Sequence, residues 1–304
     1  MSRIHEAIKR AEQDRDASRA ELGVPVQGTA LGETDERSLV APAALPLPAP
    51  ETSAGVTLES WIASCPATAW KPDPRSLLFS NPAAGVEGME EFRTLRTQLT
   101  HLRDKLPLQT VLVASPLPGE GKTFVAANLA QAFVQQRGRR VLLIDADLRL
   151  SRLHSVLGAA RTPGLSDFLA GKADVSEILQ RGEADNLFFI PGGRPVPNPT
   201  ELVANGRLKG LLHRLAPLFD WIVTDSPPCV PVSDASVLAE FYDGVLMVVC
   251  AGKTPFDMAQ KGAQQFREKR LLGVVLNQAD SPFTYNAYYY QTATDRAAER
   301  LEQD

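Results

Sequence analysis

Six short, nearly unbroken apolar runs punctuate the chain, at residues 110–114, 141–144, 187–190, 221–224, 245–249 and 273–276. Between them the apolar period lengthens. Met89, Phe92, Leu95, Leu99 and Leu102 recur at the three-to-four spacing of an amphipathic helix. Ala126, Leu129, Ala130 and Phe133 repeat that spacing before Gly138 stops it. Short buried runs alternating with helical stretches predict a mostly parallel sheet covered on both faces, an α/β fold of the doubly wound kind. In such a sheet, binding chemistry belongs at the carboxyl ends of the strands.

The flanks differ. Ile4, Ala7, Ile8 and Ala11 predict a short helix within residues 1–20. Residues 21–80 carry Pro25, Pro42, Pro46, Pro48, Pro50, Pro66, Pro72 and Pro74 among alanine, serine and threonine. They read as a disordered Pro/Ala-rich linker, with Trp61 and Trp70 as its hint of a docking motif. The globular pattern is expected over 81–280, followed by a tail over 281–304.

Composition narrows the picture. Of 304 residues, 44% are hydrophobic and 22% charged, as in an ordinary globular chain, and the net charge is −4. That balance gives no footprint for nucleic acid. Residues 245–251 form an apolar run far shorter than the roughly 20 residues a membrane helix needs. The first residues do not read as a signal peptide. Cys65, Cys229 and Cys250 lie far apart with no CxxC, which suits a reducing cytoplasm and gives neither a disulfide framework nor a zinc pattern.

The chemistry sits after the first apolar run. Ser115-Pro116-Leu117-Pro118-Gly119-Glu120-Gly121-Lys122-Thr123 ends as a P-loop does, and a helix is expected to start there. Glycines let backbone N–H groups turn onto phosphate, and the helix N-terminus adds partial positive charge. Pro118, Gly119, Glu120, Gly121, Lys122, Thr123 and Phe124 are the expected nucleotide contacts. Lys122 can reach the outer phosphates, and the Thr123 hydroxyl can ligate Mg²⁺. Pro116 departs from the pattern, which asks for glycine there. Two later strands end in acids: Asp145-Ala146-Asp147-Leu148-Arg149, and Asp225-Ser226-Pro227-Pro228. Buried carboxylates need a cation. Thr123, Asp145 and Asp225 are therefore the expected Mg²⁺ residues, with helix capping the competing role for such acids. Asp147, one step further out, could meet an incoming hydroxyl as a base.

These three segments resemble the Walker A, A′ and B motifs of the bacterial tyrosine kinases, P-loop autokinases of exopolysaccharide and capsule assembly. The resemblance extends to Asn198-Pro199-Thr200-Glu201-Leu202, Phe219-Asp220-Trp221 and Gly273-Val274-Val275-Leu276-Asn277, and covers about residues 85–280. Met1-Ser2-Arg3-Ile4-His5-Glu6-Ala7-Ile8 with the linker is similar to the stand-alone kinases of exosortase-linked polysaccharide loci. Partition and division-site ATPases carry a lysine where this loop has Leu117.

The resemblance implies a P-loop NTPase fold, ATP and Mg²⁺ as cofactors, and γ-phosphoryl transfer to tyrosine in a neighbouring subunit. Lys122, Asp145, Asp147, Asp225 and Arg149 are then the catalytic set, with Arg149 positioning Asp147 or touching phosphate, and Asn277 reading the adenine edge. Four of the 5 tyrosines, Tyr285, Tyr288, Tyr289 and Tyr290, crowd into the tail and match an autophosphorylation cluster. Glu90, Arg93 and Arg96 match the E-x-x-R-x-x-R motif of ring assembly. Implied partners are further copies of the chain, a separate membrane-bound chain-length regulator that recruits it to the inner membrane, and a cognate tyrosine phosphatase, with no nucleic acid. Two other readings stay open: a non-catalytic ATP-binding oligomeric switch, and a partition- or division-site-type ATPase.

Overall fold

A computed structural model describes residues 57–80, 88–182, 186–266 and 271–279. The expected helix over 1–20, residues 21–56 of the expected linker, and the tail with Tyr285, Tyr288, Tyr289 and Tyr290 lie outside the described residues.

In chain order the elements are α1 (Leu58–Ser64), β1 (Ala67–Thr68), α2 (Met89–Arg103), β2 (Thr110–Ala114), α3 (Lys122–Val134), β3 (Val141–Asp145), α4 (Leu153–Leu157), α5 (Leu165–Leu169), α6 (Val175–Ile178), β4 (Gln180–Gly182) and β5 (Leu187–Ile190). Then come α7 (Pro199–Ala204), α8 (Arg207–Leu215), β6 (Trp221–Asp225), α9 (Asp234–Ala239), β7 (Gly244–Cys250), α10 (Phe256–Gln265) and β8 (Leu271–Asn277). One sheet of order β1-β4-β5-β3-β6-β2-β7-β8 holds all the strands. Every pair is parallel except β4 with β5.

Strand alternation sorts the core into two layers. Leu112, Ala114, Leu142 and Ile144 face the layer built by α5–α9. Val111, Val113, Val141 and Leu143 face the layer of α2, α3 and α4. Each such leucine, isoleucine or valine stabilises the fold by roughly 1.5–3 kcal/mol. Helix α3 is enclosed rather than amphipathic, with every residue from Val125 to Ala130 buried. The order β3-β6-β2 sets the two acidic strand ends and the phosphate loop side by side, and Asp145 pairs in register with Asp225.

The linker assignment fails over 57–80. This segment forms α1 and β1 and then crosses the domain as a strap, with Ile62, Cys65 and Leu77 buried. Trp70 packs edge-on against Phe189 and lies on Gly182, where a Cβ would meet its ring at 2.7 Å. Trp61 also packs on its own core. Both tryptophans thus pack within the domain, and each is half-buried. The strap ends on α3. Asn128, fully buried there, accepts from the Leu78 N–H at 2.8 Å and donates to the Ser76 carbonyl at 2.9 Å. Isolated apolar anchors between prolines carry no period, so hydrophobic patterning does not reveal them.

Candidate nucleotide site

The phosphate loop leaves β2 at Ser115 and enters α3 at Lys122. Gly119 and Gly121 take φ values of 81° and 90°, which only glycine adopts without strain. Its first residues are zipped to the segment after β6: Cys229 N–H donates to the Ser115 carbonyl at 2.8 Å, and Val230 N–H to that of Pro116 at 3.1 Å.

Four predicted residues meet at the mouth of α3. Lys122 Nζ lies 3.4 Å from Asp147 Oδ2. The Thr123 hydroxyl donates to Asp225 Oδ2 at 2.6 Å. Asp225 Oδ1 is buried and has no hydrogen-bond partner. Such an atom costs about 1–3 kcal/mol unless something binds it. A divalent cation, or a water on one, meets that need, and Mg²⁺ takes only one or two carboxylates alongside phosphate oxygens. The Thr123 hydroxyl and the Asp225 carboxylate are oxygen donors of the kind Mg²⁺ takes, so the residues present fit that ion.

Electrostatics agree with an awaited cation. Burial, then the Asp225 charge, push Asp145 up to about 7, against donors from Ser151 and Leu153. Burial raises Asp225 to about 6, although Lys122 and Thr123 pull it down. Burial works against the Lys122 ammonium, yet Asp225, Asp147 and Asp145 outweigh it and hold its pKa above the ordinary lysine value.

Several predicted residues do other work. Asp145 Oδ2 accepts from the Ser151 hydroxyl at 2.8 Å and from the Arg152 and Leu153 N–H groups at 3.1 and 3.0 Å, so capping of α4 is realised here. Arg149 does not hydrogen-bond Asp147. Its guanidinium grips the buried Asp234 with two bonds, 2.6 and 3.1 Å, and Thr200 joins the same carboxylate. Glu120 turns inward and is only 4% exposed. Asn277 Nδ2 donates to the Glu120 carbonyl at 2.9 Å. The Phe124 ring packs edge-on against Phe92, while Pro118 stays at the exposed loop tip. Arg96 donates to the Ala132 carbonyl at the end of α3, and Glu90 pairs with Arg93 on the exposed face. Asp234, Ser151 and Thr254 were missed, because no motif position marks them. Thr200 lies inside the segment Asn198-Pro199-Thr200-Glu201-Leu202, whose residue types alone assign it no role.

A P-loop beside two neighbouring acidic strand ends defines a nucleotide-binding domain. The chain belongs to the family described as the CobQ/CobB/MinD/ParA nucleotide binding domain, which matches residues 111–297. Within that class it belongs to the bacterial tyrosine-protein kinases. It is 35% identical over 190 residues to the tyrosine-protein kinase YwqD of Bacillus subtilis, covering 62% of this chain and 80% of that one. To the tyrosine-protein kinase CpsD of Streptococcus pneumoniae it is 36% identical over 194 residues, covering 63% and 84%. The kinase domain of the Escherichia coli tyrosine kinase ETK superposes with a TM-score of 0.63 at 28% identity, covering 74% of this chain and 90% of that one. Some relatives are longer, and the chain spans 30% of one of them. Among the described residues, no helix is long and apolar enough to cross a membrane.

Proposed function

We propose that this chain is an ATP- and Mg²⁺-dependent protein-tyrosine autokinase that regulates exopolysaccharide polymerisation and export. The observation that carries the reading is the unpartnered Asp225 Oδ1, beside Thr123 and Lys122 at the helix mouth. Thr123 and Asp225, with Asp145, would hold Mg²⁺, which when bound would neutralise charge on the transferring phosphoryl oxygens.

The chain's own residues divide the rest. Lys122 spreads charge from the outer phosphates and must leave Asp147 to do so. Asp147 Oδ2 then loses its cation and is free to take the phenolic proton, while Oδ1 stays fixed by the Leu150 N–H at 2.9 Å. The tyrosine oxygen bonds to the γ-phosphorus as the bond to ADP breaks. The acceptors are Tyr285, Tyr288, Tyr289 and Tyr290 of a neighbouring subunit. Glu90 and Arg93 contribute to the ring contact, and Arg96 holds α2 to α3 behind them. A separate membrane-bound chain-length regulator recruits the kinase from the cytoplasm to the inner membrane, and a cognate phosphatase reverses its modification.

The test is purified protein with labelled ATP. Phosphate appears on the tail tyrosines and vanishes in Lys122→Met. Well-folded protein that gives no heat with Mg²⁺ and ADP in calorimetry overturns the reading.

A further inference from the structure

The phosphate loop opens on Pro116 where the pattern calls for glycine. Proline fixes φ and has no N–H to offer. Helix α10 presses on it too: a Cβ at Gly262 would sit 3.0 Å from its ring. The turn that follows is shaped instead by bonds that converge on Glu120. Leu117 N–H donates to Glu120 Oε2 at 2.8 Å. The Thr254 hydroxyl, from the turn between β7 and α10, donates to Glu120 Oε1. Thr254 Oγ1 is itself held by the Cys250 N–H at 2.8 Å. Asn277, at the end of β8, takes the Glu120 carbonyl, and its amide leaves no room for a Cβ at Gly121.

A buried carboxylate is an odd choice inside a loop meant for anions, since like charges repel across short distances. The geometry resolves the oddity. Both carboxylate oxygens accept bonds that close the turn. The backbone carbonyl, which would also repel a phosphate, is drawn onto Asn277.

We propose that Glu120 and Thr254 form a brace that sets the phosphate loop, with Asn277 as its third point, in place of the missing glycine. Glu120 is a positioning residue and makes no contact with the nucleotide through its side chain. The proposal rests on the nucleotide-binding reading above, and deepens it. A charge-assisted hydrogen bond is worth about 1.5–3 kcal/mol, so loss of either partner corresponds to about a tenfold or greater change in affinity.

The experiment is calorimetric titration of the full-length protein with ADP and with a non-hydrolysable ATP analogue, each with Mg²⁺. Glu120→Ala and Thr254→Val are each expected to weaken both nucleotides about tenfold or more. Thr254→Ser restores wild-type affinity, because it keeps the hydroxyl. Glu120→Gln, whose single uncharged oxygen can accept from Leu117 or from Thr254 but not from both, is expected to fall between wild type and Glu120→Ala. The double variant binds no more weakly than Glu120→Ala, since both changes break one brace. In the kinase assay, KM for ATP rises in Glu120→Ala and Thr254→Val and returns to the wild-type value in Thr254→Ser. Wild-type affinity in Thr254→Val, or losses that simply add in the double variant, overturns the brace. Where Glu120→Ala fails to fold, the Thr254 pair of variants carries the test. Wild-type protein that binds neither nucleotide overturns the kinase reading and the brace with it. Normal wild-type binding with unaffected variants overturns the brace alone.

Discussion

The buried pair Asp145 and Asp225 makes the nucleotide-free domain weaker as pH rises. A carboxyl whose folded pKa is raised holds its proton more tightly in the native than in the unfolded chain. Its stabilising contribution is full below the unfolded value and disappears as pH climbs through the folded one. With Asp145 at about 7 and Asp225 at about 6, the loss falls between about pH 4 and pH 8. Integrating both groups from about pH 5 to pH 8 gives roughly 4 kcal/mol as an upper figure, since each suppresses the other's ionisation. Asp225→Asn removes one titrating group and part of what raises the other. The difference in unfolding free energy between about pH 5 and pH 8 is expected to shrink by about 2 kcal/mol or more in the variant. Urea unfolding of nucleotide-free protein at both pH values, wild type and variant, measures it. Equal pH differences in the two proteins would refute the account. Mg²⁺ with ADP should flatten the wild-type difference as well, because bound cations favour both carboxylates.

Other outcomes follow from named contacts. Asn128→Ala leaves the Leu78 N–H and the Ser76 carbonyl without their partner in a buried setting, and is expected to cost about 2–3 kcal/mol in urea unfolding. Arg149→Ala strands the buried Asp234 carboxylate. Because Arg149 is 42% exposed, the expected loss is about 1–2 kcal/mol, and Asp234→Asn in the Arg149→Ala background restores part of it. Phosphotyrosine, measured by intact mass after incubation with ATP, is expected to be absent from Lys122→Met and strongly reduced in Asp147→Asn.

Much of the fold is legible in the sequence because central strands buried on both faces read as unbroken apolar runs. The run at 110–114 is β2 residue for residue, and that at 187–190 is β5. The edges are not legible. β1 and β4 span two and three residues with little burial, so no alternation marks them. For the site, Lys122, Thr123, Asp147 and Asp225 come together as their types and strand ends imply. Glu120, Asn277 and Arg149 come to the site too, but they face other protein groups. A motif fixes where a backbone turns and says little about where an unspecified side chain points. Glu120 occupies such an unspecified position, and its partner Thr254 lies on a loop 134 residues away in sequence.

Asn128 gives the strap a further meaning. Its side chain has both hydrogen-bonding ends committed to residues 76–78 while sitting in the interior of α3. Lifting residues 57–80 away would strip that side chain of two of its three hydrogen bonds, leaving only the one to the Phe124 carbonyl, so the peel is expected to be coupled to the opening of the body. The Leu78 amide should then exchange its hydrogen with solvent at the rate of the slowest central strands. A shortened form that begins at residue 81 lacks the Ser76 and Leu78 partners of Asn128 and is expected to unfold at lower urea than the full chain.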